Sequence, residues 1–247
     1  MKGVLWMKER KSSNKGQILI SVIIPAYNEE KLIASCLSSL QKQSFPKQNY
    51  EVIVIDNAST DKTGEIAKKM GVRVVFEPQK GIALALKKGF TQAKGQIVVV
   101  TDADTVVNPH WLRNIRYYFQ KNPNLVLLVG RIILRPVTVL SLISEVVMNF
   151  SYLFLKMSSG ANFAIRKDIY RKLSLNEKIN FNWENDLSLR ARKEGRVFFL
   201  WHNPVTTSSR HFKGVGGIRY CLKGIINGIY VILFKKTIFY HSGDVRD

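Results

Sequence analysis

Cysteine is nearly absent from this 247-residue chain: Cys36 and Cys221 are the whole supply, far apart and without metal-type spacing. A disulfide scaffold and a cysteine-rich zinc site are therefore disfavoured, and reduced thiols in a cytosolic setting fit better. Acid is scarce too, with 18 Asp and Glu against 38 Lys and Arg, a formal charge of +20. Such a surplus speaks of partners rather than fold: polyanions, phosphorylated ligands or an anionic membrane face. Long apolar runs are missing. The nearest, residues 137–155, is broken by Glu145 and Asn149, whereas a membrane span wants about 20 predominantly apolar residues. Residues 1–15 are basic, with only Val4 to Met7 as an apolar stretch, short of the roughly 7–15 residues of a secretory core. They read as a basic arm, up to residue 17, with no export signal.

What is present is ordinary globular material, 46% hydrophobic and 23% charged, enough for one sizeable core. The first half alternates two periods. Strand-like runs at 18–24, 51–56, 72–76 and 96–101 are separated by helix-like segments at 29–42, 61–70, 82–93 and 108–120. Pro25 is expected to end the first strand, because it cannot donate to a central ladder. The second half is less regular: strands at 125–134, 160–165 and 196–201, helices at 138–156, 186–194 and 218–234. Apolar strands alternating with amphipathic helices predict an α/β fold, a mostly parallel sheet covered on both faces. In such sheets ligands sit at the carboxyl ends of the strands.

Three loops lie at those ends. Asp102-Ala103-Asp104 follows the fourth strand, and paired hard oxygen ligands suit Mg²⁺ or Mn²⁺ and, through it, a diphosphate. The plainer reading is a turn-capping Asp104. Asp56 ends the second strand, where a carboxylate needs a polar partner such as a base N–H or ribose hydroxyl; Ser59 or Thr60 behind it is a natural helix cap. Tyr27, after the first strand, stacks on a base or simply packs. Further on, Glu184 and Asp186 open a helix, either as favourable charges at its N-terminus or as a general base deprotonating an attacking hydroxyl. Glu184 is expected in the loop, projecting into a cleft. Ser209-Arg210-His211 belongs to a basic cluster that contacts a diphosphate or is solvated. Gly214 to Gly217 is neither a phosphate loop nor a dinucleotide fingerprint.

In this order, the segments resemble a family-2 glycosyltransferase of the GT-A fold. The resemblance runs through SVIIPAYNEE (21–30), IDNASTDKT (55–63), Lys80-Gly81 with Gly89, TDAD (101–104), GANFAIR (160–166) and ENDLSLR (184–190), spanning about residues 18–212. It implies a nucleotide-sugar donor (UDP- or GDP-linked), a divalent cation, Mg²⁺ or Mn²⁺, and inversion at the anomeric carbon. By resemblance Pro25, Tyr27, Glu29 and Asp56 hold base and ribose, with Lys80 and Arg210 also on the donor. Asp102 faces the nucleotide sugar, Asp104 ligates the metal beside it, and Gly160, Ala161 and Asn162 line the acceptor side. Where the family usually carries an aspartate as base, this chain has Glu184, so the base stays open between Glu184 and Asp186. The family's Ser-Arg-Arg element reads Ser209-Arg210-His211, which supports phosphate contact for Arg210 better than for its neighbour.

Residues 187–247 carry 11 Lys or Arg against 3 acids, interleaved with aromatic and apolar residues that include Phe239. Residues 213–247 read as a C-terminal amphipathic extension. It suits an interfacial helix on anionic lipid, with 137–155 a second such element. The alternative is packing on the core or between copies of the chain. The expectation is a peripheral enzyme at the inner face of a cell membrane, with a glycan or lipid-linked acceptor. The rivals are a basic nucleic-acid-binding protein, in which acids at three strand ends would repel phosphate, and a nucleotidyltransferase, which would want a glycine-rich basic loop after the first strand.

Overall fold

A computed structural model describes residues 18–155, 159–176, 179, 183–212 and 214–234; the expected arm at 1–17, Lys213 and residues 235–247 lie outside them. The chain runs β1 (Ile20–Ala26), α1 (Ile33–Gln41), β2 (Tyr50–Asp56), α2 (Thr63–Lys69), β3 (Arg73–Phe76), α3 (Ile82–Gln92), β4 (Ile97–Val100), β5 (Thr105–Val107), α4 (Trp111–Lys121), β6 (Leu125–Arg135) and α5 (Val139–Leu155). It continues with β7 (Phe163–Arg166), α6 (Lys167–Leu173), α7 (Trp183–Ala191), β8 (Arg196–Ser208) and α8 (Gly214–Phe234). The strands form one eight-stranded sheet in the order β3-β2-β1-β4-β7-β6-β8-β5.

The expected parallel sheet holds for the first four strands, with β1 parallel to β2 and β4, and β2 parallel to β3. The central two are buried on both faces: every residue of β4 is buried, as are Ile20, Val22, Ile23 and Ile24 of β1, whereas β3 at the edge exposes Arg73 and Phe76. The remainder of the sheet is mixed. β7 runs antiparallel to β4 and β6, β8 parallel to β6, and β5 antiparallel to β8. The consequence is geometric. Antiparallel β5 and β7 begin at the same rim where β1, β2, β4, β6 and β8 end, so residues from both halves of the chain reach one edge.

Several expected boundaries move. β1 does not stop before Pro25 but continues opposite Ile55 to Ala26. Pairing with β4 ends at Ile23, so the missing N–H of Pro25 falls where there is no carbonyl to receive it. Residues 160–162 form a single 3₁₀ turn, and only Phe163 onward is strand. β8 extends past Trp201 to Ser208, with a register shift between Gly130 and Ile132 of β6 that absorbs the polar stretch around Pro204. α7 starts at Trp183, three residues earlier than expected, which moves Glu184 from a loop into a helical first turn. β5 and α6 were not anticipated, and α8 starts at Gly214 instead of residue 218. No helix among the described residues is long and apolar enough to cross a membrane.

The centre of the sheet tolerates little added volume. Ser21 is fully buried in β1; its hydroxyl donates to Glu51 (2.6 Å) and accepts from the N–H of Gly95 (2.8 Å). A Cβ on Gly95 would meet backbone atoms of Ser21 and Ile20 at 2.5 and 2.6 Å, and a central strand cannot step aside as a flexible side chain can. Gly95→Ala is therefore expected to cost about 1–3 kcal/mol, read as a lower urea midpoint with an unchanged slope.

Candidate active site

The rim is built first by side chains that bond backbone across loops. After β1, Asn28 adopts a positive φ of 52°, and after β2, Ala58 one of 59°. The two loops hold each other there. The Asn28 N–H donates to Ser59 Oγ (3.1 Å), Thr60 N–H to Asn28 Oδ1 (2.9 Å), Glu29 N–H to Thr63 Oγ1 (2.7 Å) and Glu30 N–H to Asp61 Oδ2 (3.0 Å). The N-cap position of α2 belongs to Lys62, with no side-chain cap. Ser59 and Thr60 are thus inter-loop fasteners, a correction to their reading as helix caps. Asp56 accepts from the N–H of Ser59 (3.1 Å), and its carboxylate packs so closely on Gly64 that a side chain there would collide with it.

Asn57, which carried no sequence signal beyond turn propensity, clamps the next loop. It donates to the carbonyls of Gln79 (2.6 Å) and Glu77 (3.3 Å) and accepts from the N–H of Gly81 (2.8 Å), whose φ of 148° suits glycine. The clamped loop carries Lys80 over the Tyr27 ring, 4.5 Å from its centroid, with a further bond to the phenol oxygen. Tyr27 and Lys80 therefore meet at the β1 end of the rim.

Carboxylates gather at the middle of the rim. Thr101 is tied to the carbonyl of Ala161 (2.9 Å), which sets the exit of β4 against the 3₁₀ turn. Asp102 and Asp104 then leave the strand on either side of buried Ala103. Asp104 accepts from Thr207 Oγ1 (2.9 Å) at the end of β8, and Thr105 donates to the same hydroxyl (2.9 Å). Arg210, in the turn following β8, donates through Nη1 to Glu29 Oε2 (2.8 Å) and through Nη2 to Oε1 (2.5 Å), while Nη2 lies 3.2 Å from Asp104 Oδ2. One guanidinium thus bridges the β1 loop and the β4 loop. Glu29 is only 6% exposed, and a bidentate fork of this kind is among the stronger ion pairs.

The first turn of α7 adds Glu184. Burial pushes its carboxyl up to about 7. Asp102 rises to about 8, first from burial and then from the charges of Asp104, Glu184 and Glu29, with Arg210 pulling the other way. Burial also raises Asp104, against Arg210. Asp186, two residues on, is differently engaged: it pairs with Arg190 (2.6 and 2.8 Å), which in turn donates to the carbonyls of Leu173 and Ser174. That pair ties α7 to the end of α6. Gly160 lies between Asp102 and the indole of Trp183. Asn162 is 1% exposed, its amide bonded to Trp111 Nε1 and to the carbonyls of Arg131 and Asn203, so it braces the sheet beneath the turn. Tyr152, unnoticed in the sequence, projects from α5 into this region; burial raises its phenol, which bonds the Ser159 side chain and feels the charges of Glu184 and Asp102.

At the middle of the rim the acids Glu29, Asp102, Asp104 and Glu184 outnumber the one guanidinium of Arg210 among the described residues. Among the described residues no three His, Cys, Asp or Glu side chains form a ready-made metal cage. Asp102 and Asp104 nevertheless fit a hard divalent cation: they are adjacent oxygen donors whose ionisation is opposed by burial and by each other, and Mg²⁺-type sites commonly use one or two carboxylates with substrate phosphates completing the shell.

The sequence profile of glycosyl transferase family 2 matches residues 21–174. Curated relatives include glycosyltransferase AglE of Haloferax volcanii, 37% identical over 99 residues, covering 38% of this chain and 33% of that protein. Another is the poly(ribitol-phosphate) beta-N-acetylglucosaminyltransferase TarS of Staphylococcus aureus, 36% identical over 119 residues, covering 44% of this chain and 20% of that protein. The chain thus matches a third or less of these relatives' length. Among solved structures, the mannosyltransferase PcManGT of Pyrobaculum calidifontis, in complex with GDP-Man and Mn²⁺, superposes with a TM-score of 0.73 at 20% identity, covering 88% of this chain and 64% of that one. Glucosyl-3-phosphoglycerate synthase of Mycobacterium tuberculosis, with Mn²⁺, UDP-glucose and phosphoglyceric acid, gives 0.66 at 20% identity, covering 87% and 79%. At such identity the shared property is the fold.

The Arg210 bridge is measurable on its own. A double-mutant cycle over Glu29→Ala and Arg210→Ala, followed by chemical denaturation, is expected to return a coupling of about 1–3 kcal/mol. A value near zero would mean the fork contributes no more than a surface pair.

Proposed function

The chain belongs to glycosyl transferase family 2, and on that premise we propose that it moves a sugar from a nucleoside-diphosphate donor to an acceptor, a glycan hydroxyl or a lipid phosphate, with inversion at the anomeric carbon. One observation carries the reading: Glu29 and Asp104 pair with Arg210 at the ligand edge of the sheet, beside Asp102, which feels both that guanidinium and the charge of Glu184. That edge is where an α/β sheet binds nucleotides. The structures of similar fold that hold GDP-Man or UDP-glucose with Mn²⁺ add weight from outside the chain.

The donor's base and ribose lie along Pro25, Tyr27 and Asp56, with Lys80 swinging from the Tyr27 ring toward phosphate. Arg210 serves the diphosphate, since its Nε is buried without a protein partner while its two terminal nitrogens are held by Glu29 and Asp104. Glu29 then acts by aiming Arg210. Asp102 and Asp104 would hold Mg²⁺ or Mn²⁺, which supplies charge neutralisation for the departing nucleoside diphosphate. Gly160 leaves space beside Asp102 for the sugar and acceptor, and Ala161 fixes that turn through its carbonyl. Glu184, raised toward neutrality and close enough to act on Asp102, takes the proton from the acceptor hydroxyl. The acceptor oxygen bonds the anomeric carbon from the face opposite the leaving group as the bond from that carbon to the nucleoside diphosphate oxygen breaks, in a single displacement.

Between the two candidate bases the geometry favours Glu184, because Asp186 is committed to Arg190. The nucleic-acid reading is disfavoured by buried acids at the rim, which repel a phosphate backbone. The loop after β1, Pro25 to Asn28, is neither glycine-rich nor basic, against the nucleotidyltransferase reading, and Gly214 to Gly217 forms the first turn of α8.

The test is a screen of UDP- and GDP-sugars for nucleoside diphosphate release and transfer, with and without Mn²⁺. Asp104→Ala is expected to abolish the metal-dependent transfer while the protein stays folded. Glu184→Gln is expected to lower kcat by about 10²–10⁴-fold with donor affinity retained. The active form of Glu184 is the deprotonated one, so kcat/KM for a hydroxyl acceptor falls as pH drops below about 7. Asp186→Asn keeps that acidic limb but lowers Tm; loss of the limb in Asp186→Asn alone would move the base to Asp186.

A further inference from the structure

α5 is inside out for a helix in water. Its polar residues point inward. The Asn149 amide accepts from the N–H of Ile132 and donates to its carbonyl (3.0 and 2.8 Å), and Glu145 accepts from the N–H of Leu134 (3.0 Å) and pairs with Arg131 and Arg135. The outward stripe is apolar: Ile143, Val146, Val147, Phe150 and Phe154 are each half or more exposed, at spacings of three, four, seven and eleven from the first that place them on one face. α8 repeats the pattern with Ile218, Leu222 and Leu233, all more than half exposed, and the two helices meet. Two adjacent helices with uncovered apolar faces exceed the scattered apolar exposure normal for a surface.

We propose that the outer faces of α5 and α8 form one docking surface for an anionic lipid bilayer. This goes beyond the transferase reading and rests on it only for what it then says of the acceptor. Charge decides between occupants. Copies of a chain carrying +20 repel one another, whereas the same charge draws the protein to anionic lipid, at roughly 1 kcal/mol per Lys or Arg near the surface. Basic residues flank the two segments in the sequence: Arg135 precedes α5 and Lys156 follows it, Arg219 and Lys223 lie within α8, and Lys235 and Lys236 come directly after it. Trp201, partly exposed with Arg131 stacked 4.6 Å over its ring, joins the Arg131–Glu145 pair of α5 and has the apolar body and polar rim suited to the headgroup level. Neither helix is a membrane span, so the mode is interfacial: apolar faces among the acyl chains, basic flanks at the headgroups. The inner side of α5 carries Tyr152 to the surroundings of Glu184 and Asp102. A protein seated on α5 therefore has these groups on the far side of one helix from the lipid, which suits an acceptor borne by the membrane.

The experiment is flotation of the full chain with vesicles of phosphatidylglycerol or of phosphatidylcholine, alongside light scattering and a thermal shift with UDP- and GDP-sugars. Flotation with the anionic vesicles at low salt, weakened by salt and lost at least tenfold in the Ile143→Asp/Phe150→Asp variant with its donor shift intact, supports the proposal. Ile143→Ala/Phe150→Ala, milder in water, is expected to give an intermediate loss and guards against misfolding of the first variant. No flotation on anionic vesicles, equal flotation on neutral ones, flotation indifferent to both variants, or a salt-stable dimer that the variants dissociate would each overturn it. Donor binding is read separately, so such a failure leaves the transferase reading standing, and a missing donor shift with intact flotation sinks that reading alone.

Discussion

Burying like charges beside one another is the condition this fold has to satisfy. Burial pushes up the carboxyls of Asp102, Asp104 and Glu184, and the charges of Asp104, Glu184 and Glu29 further oppose the ionisation of Asp102. Arg210 is bonded into their midst as a fixed counter-charge, and it comes from beyond the last strand, 181 residues from Glu29. A cluster of that sign persists when other contacts hold it: Thr207 on Asp104, the Arg210 fork on Glu29, and the buried sheet that fixes where each strand leaves off. Elements remote in sequence, β1 and the turn after β8, are thereby coupled through one guanidinium.

The mixed sheet makes that coupling possible. A purely parallel sheet would bring only strand ends to the ligand edge. Here β5 and β7 start at that edge and run back, so Asp104 directly precedes a strand whose Thr105 pairs with Thr207, and Gly160 and Ala161 precede a strand that pairs with β4. Both flanks of the central carboxylates are consequently set by backbone hydrogen bonding. The donor half of the rim is made differently, by side chains bonding backbone between loops, with Asn28 and Ala58 in left-handed conformations. Loops bound by discrete polar contacts can shift as units, whereas strand ends cannot. That difference would suit the proposed transfer, in which one part of the rim would admit a nucleotide while the other held the reacting groups still.

The periodicities of the first half were legible because each buried strand is a continuous apolar run and each covering helix has one apolar face. The Asp102 and Asp104 pair, Asp56 and Tyr27 were legible for the same reason, since a polar group ending a buried strand has few places to go but the ligand edge. What escaped has a physical cause in each case. β5 is three residues long and its partner is a hundred residues away. β8 contains His202, Asn203 and Pro204, which read as loop; Asn203 is in fact fully buried, its amide bonded to the carbonyl of Trp111 (3.2 Å) and to the side chains of Asn108 and Asn114. Asn57 and Asn162 looked like ordinary turn residues and turned out to be clamps. The Glu29–Arg210 pair has no period at all, and both residues had been assigned separately to the donor. Glu184 and Asp186 were inseparable by spacing, and became distinct only when Arg190, four residues past Asp186, was seen to hold it.

α5 shows why amphipathicity in a sequence underdetermines function. The segment's period correctly marks one polar and one apolar side, and ordinary practice turns the apolar side to the core. In this chain the bend of β6 near Gly130 leaves backbone groups of Ile132 and Leu134 facing the helix, and buried N–H and C=O groups demand partners more strictly than apolar atoms demand burial. Asn149 and Glu145 meet that demand, so the polar stripe is drawn inward and the apolar stripe is left outside. The exposed surface is therefore a consequence of satisfying the β6 backbone. The hydrogen bonds that seal the back of the active-site sheet are the same ones that turn Ile143 and Phe150 toward whatever lies beyond the protein.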